Sequence, residues 1–576
     1  MGYLIYPIDL VFVSKYADLF IWFWGTIAGA TLASLVALLN RKQVRWAYLL
    51  LSASMALPIA VYLNQQPLAA YSASLILPVS FLAITTIFAR RLRLKPQRGG
   101  MVTALGILLI LTVVELASVF RNVQRIWAPS LPLIDLQAQL SGLAFNFSTP
   151  IMLVALFSWI AAVLLVFRNL RRGSFQETVN ERDRITKVAS LLLLLIAVLL
   201  SFLIALSPYA SGSLLRGVDT RSYYTELSAV RNLTDSLAHF RVDYKALVLF
   251  CFYGMEAATG WSPYLVTIAG PAALAALLVI VTFAFILGVT KNWLAAGVAG
   301  ILAAASFQVI VGLLAGIFAN LLAVSFMLPV FYFLSTPLNK LRVALMVLVS
   351  YAVLFAHVWT WGIMMVAVGA SVILNVSLWL VARKNSALKS SIVAHSLLLL
   401  CGAIPVIAAY LASYLNLLSG GIASSFSDAL QTESGFVNLA HLNSIVPTLT
   451  VTLKLYVGAT FAYPLTLTLT ILGIIYLTKT NLRAIGPLVG LWAVTSVGTL
   501  LLTSEYQWRL LYLIPFQALA ATGLIGLLKL LELAAARVGI DPTTRTVRLL
   551  EAMIVAVILI DSVNYALIAT SYLPVS

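Results

Sequence analysis

Stretches of about twenty mostly apolar residues recur along nearly the whole chain, and a stretch of that length is what an α-helix needs to cross a bilayer. They fall near 17–39, 46–64, 68–89, 101–120, 149–168, 187–207, 264–289, 293–312, 314–334, 341–357, 360–381, 391–413, 452–477, 484–503, 508–530 and 546–567. The run 293–334 is continuous, and its division into two helices is arbitrary at this stage. Of the 576 residues, 62% are hydrophobic and 10% charged. A soluble domain carries about 45–50% and about 25%. The chain is therefore expected to be an all-α polytopic integral membrane protein, with about 16 transmembrane helices (14–16). Soluble globular, disordered and fibrous classes are excluded.

The formal net charge is +17, from 36 Lys and Arg against 19 Asp and Glu. In a soluble chain this would raise nucleic acid as a partner. Here the positions decide against it. Arg41, Lys42 and Arg45 follow the first apolar stretch, and Arg90, Arg91, Arg93, Lys95 and Arg98 follow the third. Arg168, Arg171, Arg172, Arg182, Arg184 and Lys187 follow the fifth, and most later Lys and Arg continue the alternation. Basic residues collect in cytoplasmic loops, so the expected topology places both termini outside. No nucleic-acid partner is expected, and the membrane bilayer is the expected environment. Cys251 and Cys401 are too few and too distant for a disulfide framework or a cysteine metal site. The N-terminus lacks a basic segment followed by an apolar run and a small-residue cleavage site, so no cleaved signal peptide is expected.

The longest polar run, 169–186, suggests a boundary between an N-terminal membrane module of about five helices, 1–185, and a membrane core, 186–576. A plain solvated loop would read the same way. No internal repeat of fixed period is visible, which counts little against an inverted repeat. The outer face holds the long segments 121–148, 208–263 and 414–451. The cytoplasmic loops are short and carry no phosphate-binding loop, which argues against an ATP-driven pump. Any chemistry is expected at the outer face of the cell membrane.

The segment 208–263 is the most polar part of that face. It holds Arg216, Asp219, Arg221, Glu226, Arg231, Asp235, His239, Arg241, Asp243, Lys245 and Glu256. Residues 220–240 read as helical, and Asp219, Tyr223 and Glu226 then share one face at i, i+4, i+7 spacing. Asp219 has two compatible readings. It caps the helix by accepting bonds from free backbone N–H groups, or it is a carboxylate base flanked by arginines that hold an anion.

The order spanning helix, then Arg216-Gly217-Val218-Asp219, then Tyr223-Tyr224 resembles the first outer loop of the GT-C superfamily of membrane glycosyltransferases. Asp243-Tyr244-Lys245-Ala246-Leu247 is similar to the second loop helix of that family, which lies along the membrane. This accounts for 246–258 being apolar yet too short to span. Ala356-His357-Val358-Trp359-Thr360-Trp361 and Glu505-Tyr506-Gln507-Trp508-Arg509 look similar to family segments at the outer ends of later helices. The resemblance covers roughly 187–530 and rests on short, degenerate motifs. It implies a GT-C-like core with an extra N-terminal module, a polyprenyl- or dolichyl-phosphate-linked sugar as donor, and Asp219 as the catalytic carboxylate. Two departures stand out: five helices precede the core, and the large soluble C-terminal domain of oligosaccharyltransferases is not seen. The second favours transfer of a single sugar over transfer of a whole oligosaccharide.

Other outer-face residues carry paired readings. Trp359 and Trp361 suit interfacial anchoring, and His357 beside them is a candidate substrate contact. Arg509 pairs with Glu505 at i, i+4 as an ordinary helix feature, or it grips a lipid phosphate bidentately. Lys454 is a second phosphate candidate, or it snorkels to the interface. His441 and Glu433 lie in the Gly- and Ser-rich loop 414–451, which in the family often closes over a substrate. Arg216, Tyr223 and Tyr224 complete the expected substrate-binding set. Glu115 and Asp561 sit near outer helix ends, where interfacial exposure explains them. Asn146-Phe147-Ser148 and Asn232-Leu233-Thr234 match glycosylation sequons. The four histidines have no metal-ligand spacing, so no metal or other cofactor is required, although a divalent ion could sit at Asp219.

These observations favour an inverting membrane glycosyltransferase acting on a glycan, lipid or protein acceptor. The rivals are a solute transporter or lipid flippase, an O-antigen-type polymerase or ligase, and a non-catalytic subunit of a glycan-assembly complex. Prolines within several apolar stretches suit a transporter, but mid-span charges are nearly absent.

Overall fold

The structure is a computed structural model. It describes residues 183–570 except 211, 213, 236–244, 338, 382–385, 415–468, 471, 475, 478–480, 482–485, 492–493, 496–508, 511, 538–540 and 542–543. Residues 1–182, the loop holding Glu433 and His441, and also Lys454 and Glu505, lie outside the described residues, as does the Asp561 side chain. The described residues divide into two compact units, one containing 183–525 and 562–570, the other 526–561.

In the first unit the described chain is helical. It runs through α1 (Asp183–Leu206), a 3-10 turn (Ser207–Tyr209), α2 (Thr220–Ala229), α3 (Ala246–Thr259) and α4 (Pro263–Thr290). It continues through α5 (Trp293–Ala304), α6 (Phe307–Ala315), α7 (Phe318–Leu334), α8 (Lys340–Ala356), α9 (Val358–Val381) and α10 (Ser386–Tyr414). Helix α11 (Phe516–Arg537) is divided between the units, and α12 is Arg545–Thr570.

Local chemistry sets these boundaries. Ser262 starts α4 by accepting from Leu265 N–H at 3.4 Å, with Pro263 at the first helical position. Lys291 in the left-handed region ends α4. Asn292, Ser306 and Asn339 cap α5, α6 and α8 in the same way, their side chains accepting from Ala295, Val309 and Arg342 N–H.

Five helical stretches among the described residues are long and apolar enough to cross a membrane: Thr186–Tyr209, Pro263–Thr290, Trp293–Leu313, Val358–Ser377 and Leu388–Ala408. The apolar run 293–334 breaks twice, at Ala305–Ser306 and at Gly316–Ile317. The second break falls a few residues beyond the division at 313 read from the sequence. The first is an extra kink, and the Ser306 hydroxyl supplies the bond that restarts the helix. Similarly, the stretch 508–530 is interrupted at 513–515, where Pro515 has no N–H to continue the ladder. Helix α3 is 14 residues long, too short to span, and it packs on α4, where the Phe252 ring covers Gly270.

Helix contacts inside the first unit use small and polar residues. Gly297 and Gly300 of α5 face Ser190, Leu193 and Ala197 of α1. Ser371 Oγ of α9 donates to Gly486 O at 2.8 Å, and Asn375 Nδ2 donates to Ser391 Oγ of α10 at 3.2 Å. In lipid, where apolar surface gives helices little reason to associate, close approach and interhelical hydrogen bonds provide the attraction.

In the second unit, Arg548 Nη1 bridges Glu532 Oε1 at 2.7 Å and Glu551 Oε2 at 2.9 Å.

Candidate functional site

The chain leaving α1 is tied down before it reaches α2. Arg216 N–H donates to the Tyr209 hydroxyl at 3.3 Å, and Thr220 Oγ1 donates to Arg216 O at 2.7 Å. Between these anchors the backbone presses on the C-terminus of α6. Asp219 N–H donates to Ala315 O at 3.1 Å. Two glycines make the approach possible. Gly217 has φ 102°, and a Cβ there would fall on Leu313 O. Gly316 has φ 68°, and a Cβ there would stand 2.8 Å from both Asp219 N and Thr220 N. Each glycine thus meets a positive φ and a backbone contact at once.

Asp219 occupies the N-cap position of α2, but its carboxylate does not accept from the helix amides. Its backbone shows why: φ −95° and ψ 3° differ from the extended conformation that aims a capping side chain back at the first turn. Capping does not account for this aspartate. Among the described residues its half-exposed carboxylate has no ion-pair partner.

One turn on, Tyr223 is 2% exposed. Its hydroxyl accepts from Ala319 N–H at 3.1 Å, which satisfies an amide in the first turn of α7. Its ring lies 4.9 Å from that of Phe318 and 6.3 Å from that of Phe252. Tyr223 is thus a core residue joining α2, α3 and α7. Tyr224 is half-buried, edge-on to Tyr264 at 6.0 Å.

The same face of α2 holds Lys245, the residue just before α3. Lys245 Nζ lies 4.7 Å from the centroid of the Tyr223 ring, 3.3 Å from Ser222 Oγ and 3.5 Å from Glu226 Oε1. Ser222 Oγ donates to the same Glu226 oxygen at 2.6 Å. A lysine over an aromatic face gains about 0.5–2 kcal/mol, more as water is excluded.

His357 sits in the corner between α8 and α9, outside both helices. Its N–H donates to Val353 O and its carbonyl accepts from Trp361 N–H. The ring starts α9: Nδ1 accepts from Thr360 N–H at 3.2 Å and lies 3.0 Å from Thr360 Oγ1. With Nδ1 accepting, the neutral ring carries its proton on Nε2. Burial pushes the imidazole pKa down to about 3, with the Arg509 guanidinium and then the Lys245 ammonium adding to the shift. Trp359 is half-buried. Trp361 is 3% exposed and donates to Ser350 Oγ at 3.2 Å, so it is held inside the protein rather than at an interface.

Arg509 precedes the break at 513–515, and that break is braced by α6. Gln308 Nε2 donates to Tyr512 O at 3.1 Å and to Ile514 O at 2.6 Å, while Tyr512 hydroxyl donates to Gln308 O at 2.9 Å.

Of the expected site residues, His357 and Arg509 are linked electrostatically, and Lys245 acts on the same imidazole. Asp219 and Arg216 lie at the start of the helix that holds Lys245. Lys245 and Gln308 were not singled out from sequence. A lysine before a short apolar helix looks like an interfacial residue, and Gln308 is one of two amides, with Asn320, in the apolar run 293–334. No group of three His, Cys, Asp or Glu able to hold a metal occurs among the described residues.

No protein-family model matches the chain, and no curated protein matches it. Among solved structures it is similar to the archaeal oligosaccharyltransferase AglB from Archaeoglobus fulgidus in complex with an inhibitory peptide and a dolichol-phosphate. The identity is 13% and the TM-score 0.41, over 67% of this chain and 56% of that one. The apo form of the Archaeoglobus fulgidus oligosaccharyltransferase gives 12% identity and a TM-score of 0.40 over the same shares. The chain thus spans little more than half the length of these structures.

Proposed function

We propose that this chain is an integral membrane glycosyltransferase of the GT-C type. It moves a single sugar from a polyprenyl- or dolichyl-phosphate donor to an acceptor hydroxyl at the outer membrane face. The observation that supports the reading is an Asp219 carboxylate that caps no helix, at the start of the helix whose Tyr223 and Glu226 hold Lys245, with the charges of Arg509 and Lys245 both acting on a neutral, buried His357.

Two cations that act on one neutral imidazole suit a phosphate. The Arg509 guanidinium offers a planar fork and Lys245 a point charge. Asp219 takes the acceptor proton. The acceptor oxygen then forms a bond to the anomeric carbon while the bond from that carbon to the phosphate oxygen breaks. The lipid phosphate leaves, its added charge met by Arg509 and Lys245, and the anomeric centre inverts. Arg216 holds the acceptor or the phosphate edge, and Tyr224 and Trp359 border the sugar. Lys454, His441 and Glu505 complete the substrate contacts from segments following α10.

The test is transfer from polyprenyl-phosphate-linked hexoses and pentoses by the purified chain in nanodiscs. Product should form with the unsubstituted chain, and Asp219→Asn should lower its rate about 10²–10⁴-fold, as expected for a lost general base. Near-normal transfer by Asp219→Asn would remove the base assignment.

A further inference from the structure

Helix α6 is short and buried, and each end is fastened to a different part of the proposed site. At its N-terminal end, Gln308 makes two bonds to carbonyls at the 513–515 break, those of Tyr512 and Ile514, at 3.1 and 2.6 Å, and its own carbonyl receives one from the Tyr512 hydroxyl. The Phe307 ring packs at 5.6 Å against both the Tyr512 and Phe516 rings. At its C-terminal end, Ala315 O holds Asp219 N–H, and a Cβ at Gly316 would stand 2.8 Å from Asp219 N. Ala315 lies seven residues beyond Gln308, about 10 Å along a helix. Arg509 lies one turn before Tyr512 on the segment that Gln308 grips.

The bonds at the Gln308 end are specific to an amide. The chain breaks at Pro515, so carbonyls before it lose the N–H groups that a continuing helix would supply. Buried carbonyls require a donor. Ile514 O accepts from Phe516 N–H at 2.8 Å, and the Gln308 amide adds a donor to it and to Tyr512 O from a neighbouring helix, without a charge.

From this we infer that Gln308 is a positioning residue for the reaction. It sets Arg509 relative to Asp219, with α6 as the rigid strut between them. The inference rests on the proposed function for the roles of those two residues. The coupling itself rests on the bonds at the two ends of α6.

The test substitutes Gln308→Glu, close in shape but without the donor, in the full chain in nanodiscs. Tyr512→Phe, which deletes only the hydroxyl bonded to Gln308 O, serves if the first variant does not fold. Amide hydrogen exchange is read at Asp219 and across 509–516. Affinity for undecaprenyl phosphate is read alongside. The expected result is exchange about tenfold faster at Asp219 as well as at 509–516, with about tenfold weaker lipid-phosphate binding. Faster exchange at 509–516 with Asp219 unchanged would overturn the coupling, because a local structural role does not reach the far end of α6. Absence of lipid-phosphate binding by the unsubstituted chain would remove the donor reading, while the Asp219 exchange would still decide the coupling.

Discussion

Lys245 Nζ stands 4.7 Å from the centroid of the Tyr223 ring and 3.5 Å from Glu226 Oε1, so one ammonium is held by a π face and a carboxylate of the same helix. Its side chain is only 11% exposed. A lysine so placed gives up much of its rotational freedom before any ligand arrives, and an anion binding beside it meets a fixed charge.

Lys245→Met keeps most of the packing and removes the charge. It is expected to weaken polyprenyl phosphate binding about tenfold, the loss of one charge-assisted contact. The His357 pKa should also rise, because Lys245 contributes to its depression. Binding to lipid-phosphate nanodiscs and a histidine-resolved NMR titration check the two effects. An unchanged His357 titration would mean that the two side chains do not face each other.

Gly316→Ala tests the contact between α6 and the Asp219 loop. Its φ of 68° and a Cβ position 2.8 Å from Asp219 N leave no room for a methyl group. The φ alone costs about 1 kcal/mol for a non-glycine residue, and the clash adds to it. A lower melting temperature and faster exchange at the Asp219 amide are expected. Gly254, which has nothing within 4 Å of a built Cβ, is the control. Gly254→Ala should leave both unchanged.

His357 gives a pH dependence with a definite sign. Its pKa falls from the usual 6.5 to about 3 in the fold, so the unfolded chain binds a proton that the folded chain refuses. The stabilisation is fully present above pH 6.5 and is lost as pH falls from 6.5 toward 3. Melting curves of the unsubstituted chain and His357→Gln between pH 4 and 7 should therefore converge as the pH drops. Transfer activity should show no inflection from His357 near 6.5. A matching gap at every pH would place His357 in solvent.

Among the described residues the long helices were legible because lipid demands long apolar runs, and α3 was legible from its length alone. The kink at Ala305–Ser306 was not, since every neighbour is apolar and only the Ser306 hydroxyl marks it. The shared face of Asp219, Tyr223 and Glu226 follows from helical spacing. Spacing does not reveal that the Tyr223 hydroxyl serves the first turn of α7, because that pairing joins residues 96 apart. Lys245 and Gln308 escaped for the same reason: their partners are set by tertiary packing.

Asp219 separates two roles that looked alike in sequence. A capping aspartate loses about 1 kcal/mol of stability on conversion to alanine. The Asp219 carboxylate makes no such bond, so Asp219→Ala and Asp219→Asn should both melt within about 0.5 kcal/mol of the unsubstituted chain, as for surface changes that break no contact. Both should still bind polyprenyl phosphate, because Arg509 and Lys245 remain. Transfer should nevertheless fall by about 10²–10⁴-fold in each. Stability, binding and turnover measured on the same preparations separate the readings. A stability loss with turnover intact would return Asp219 to a capping role, whereas turnover lost with stability and binding retained is the signature of a base.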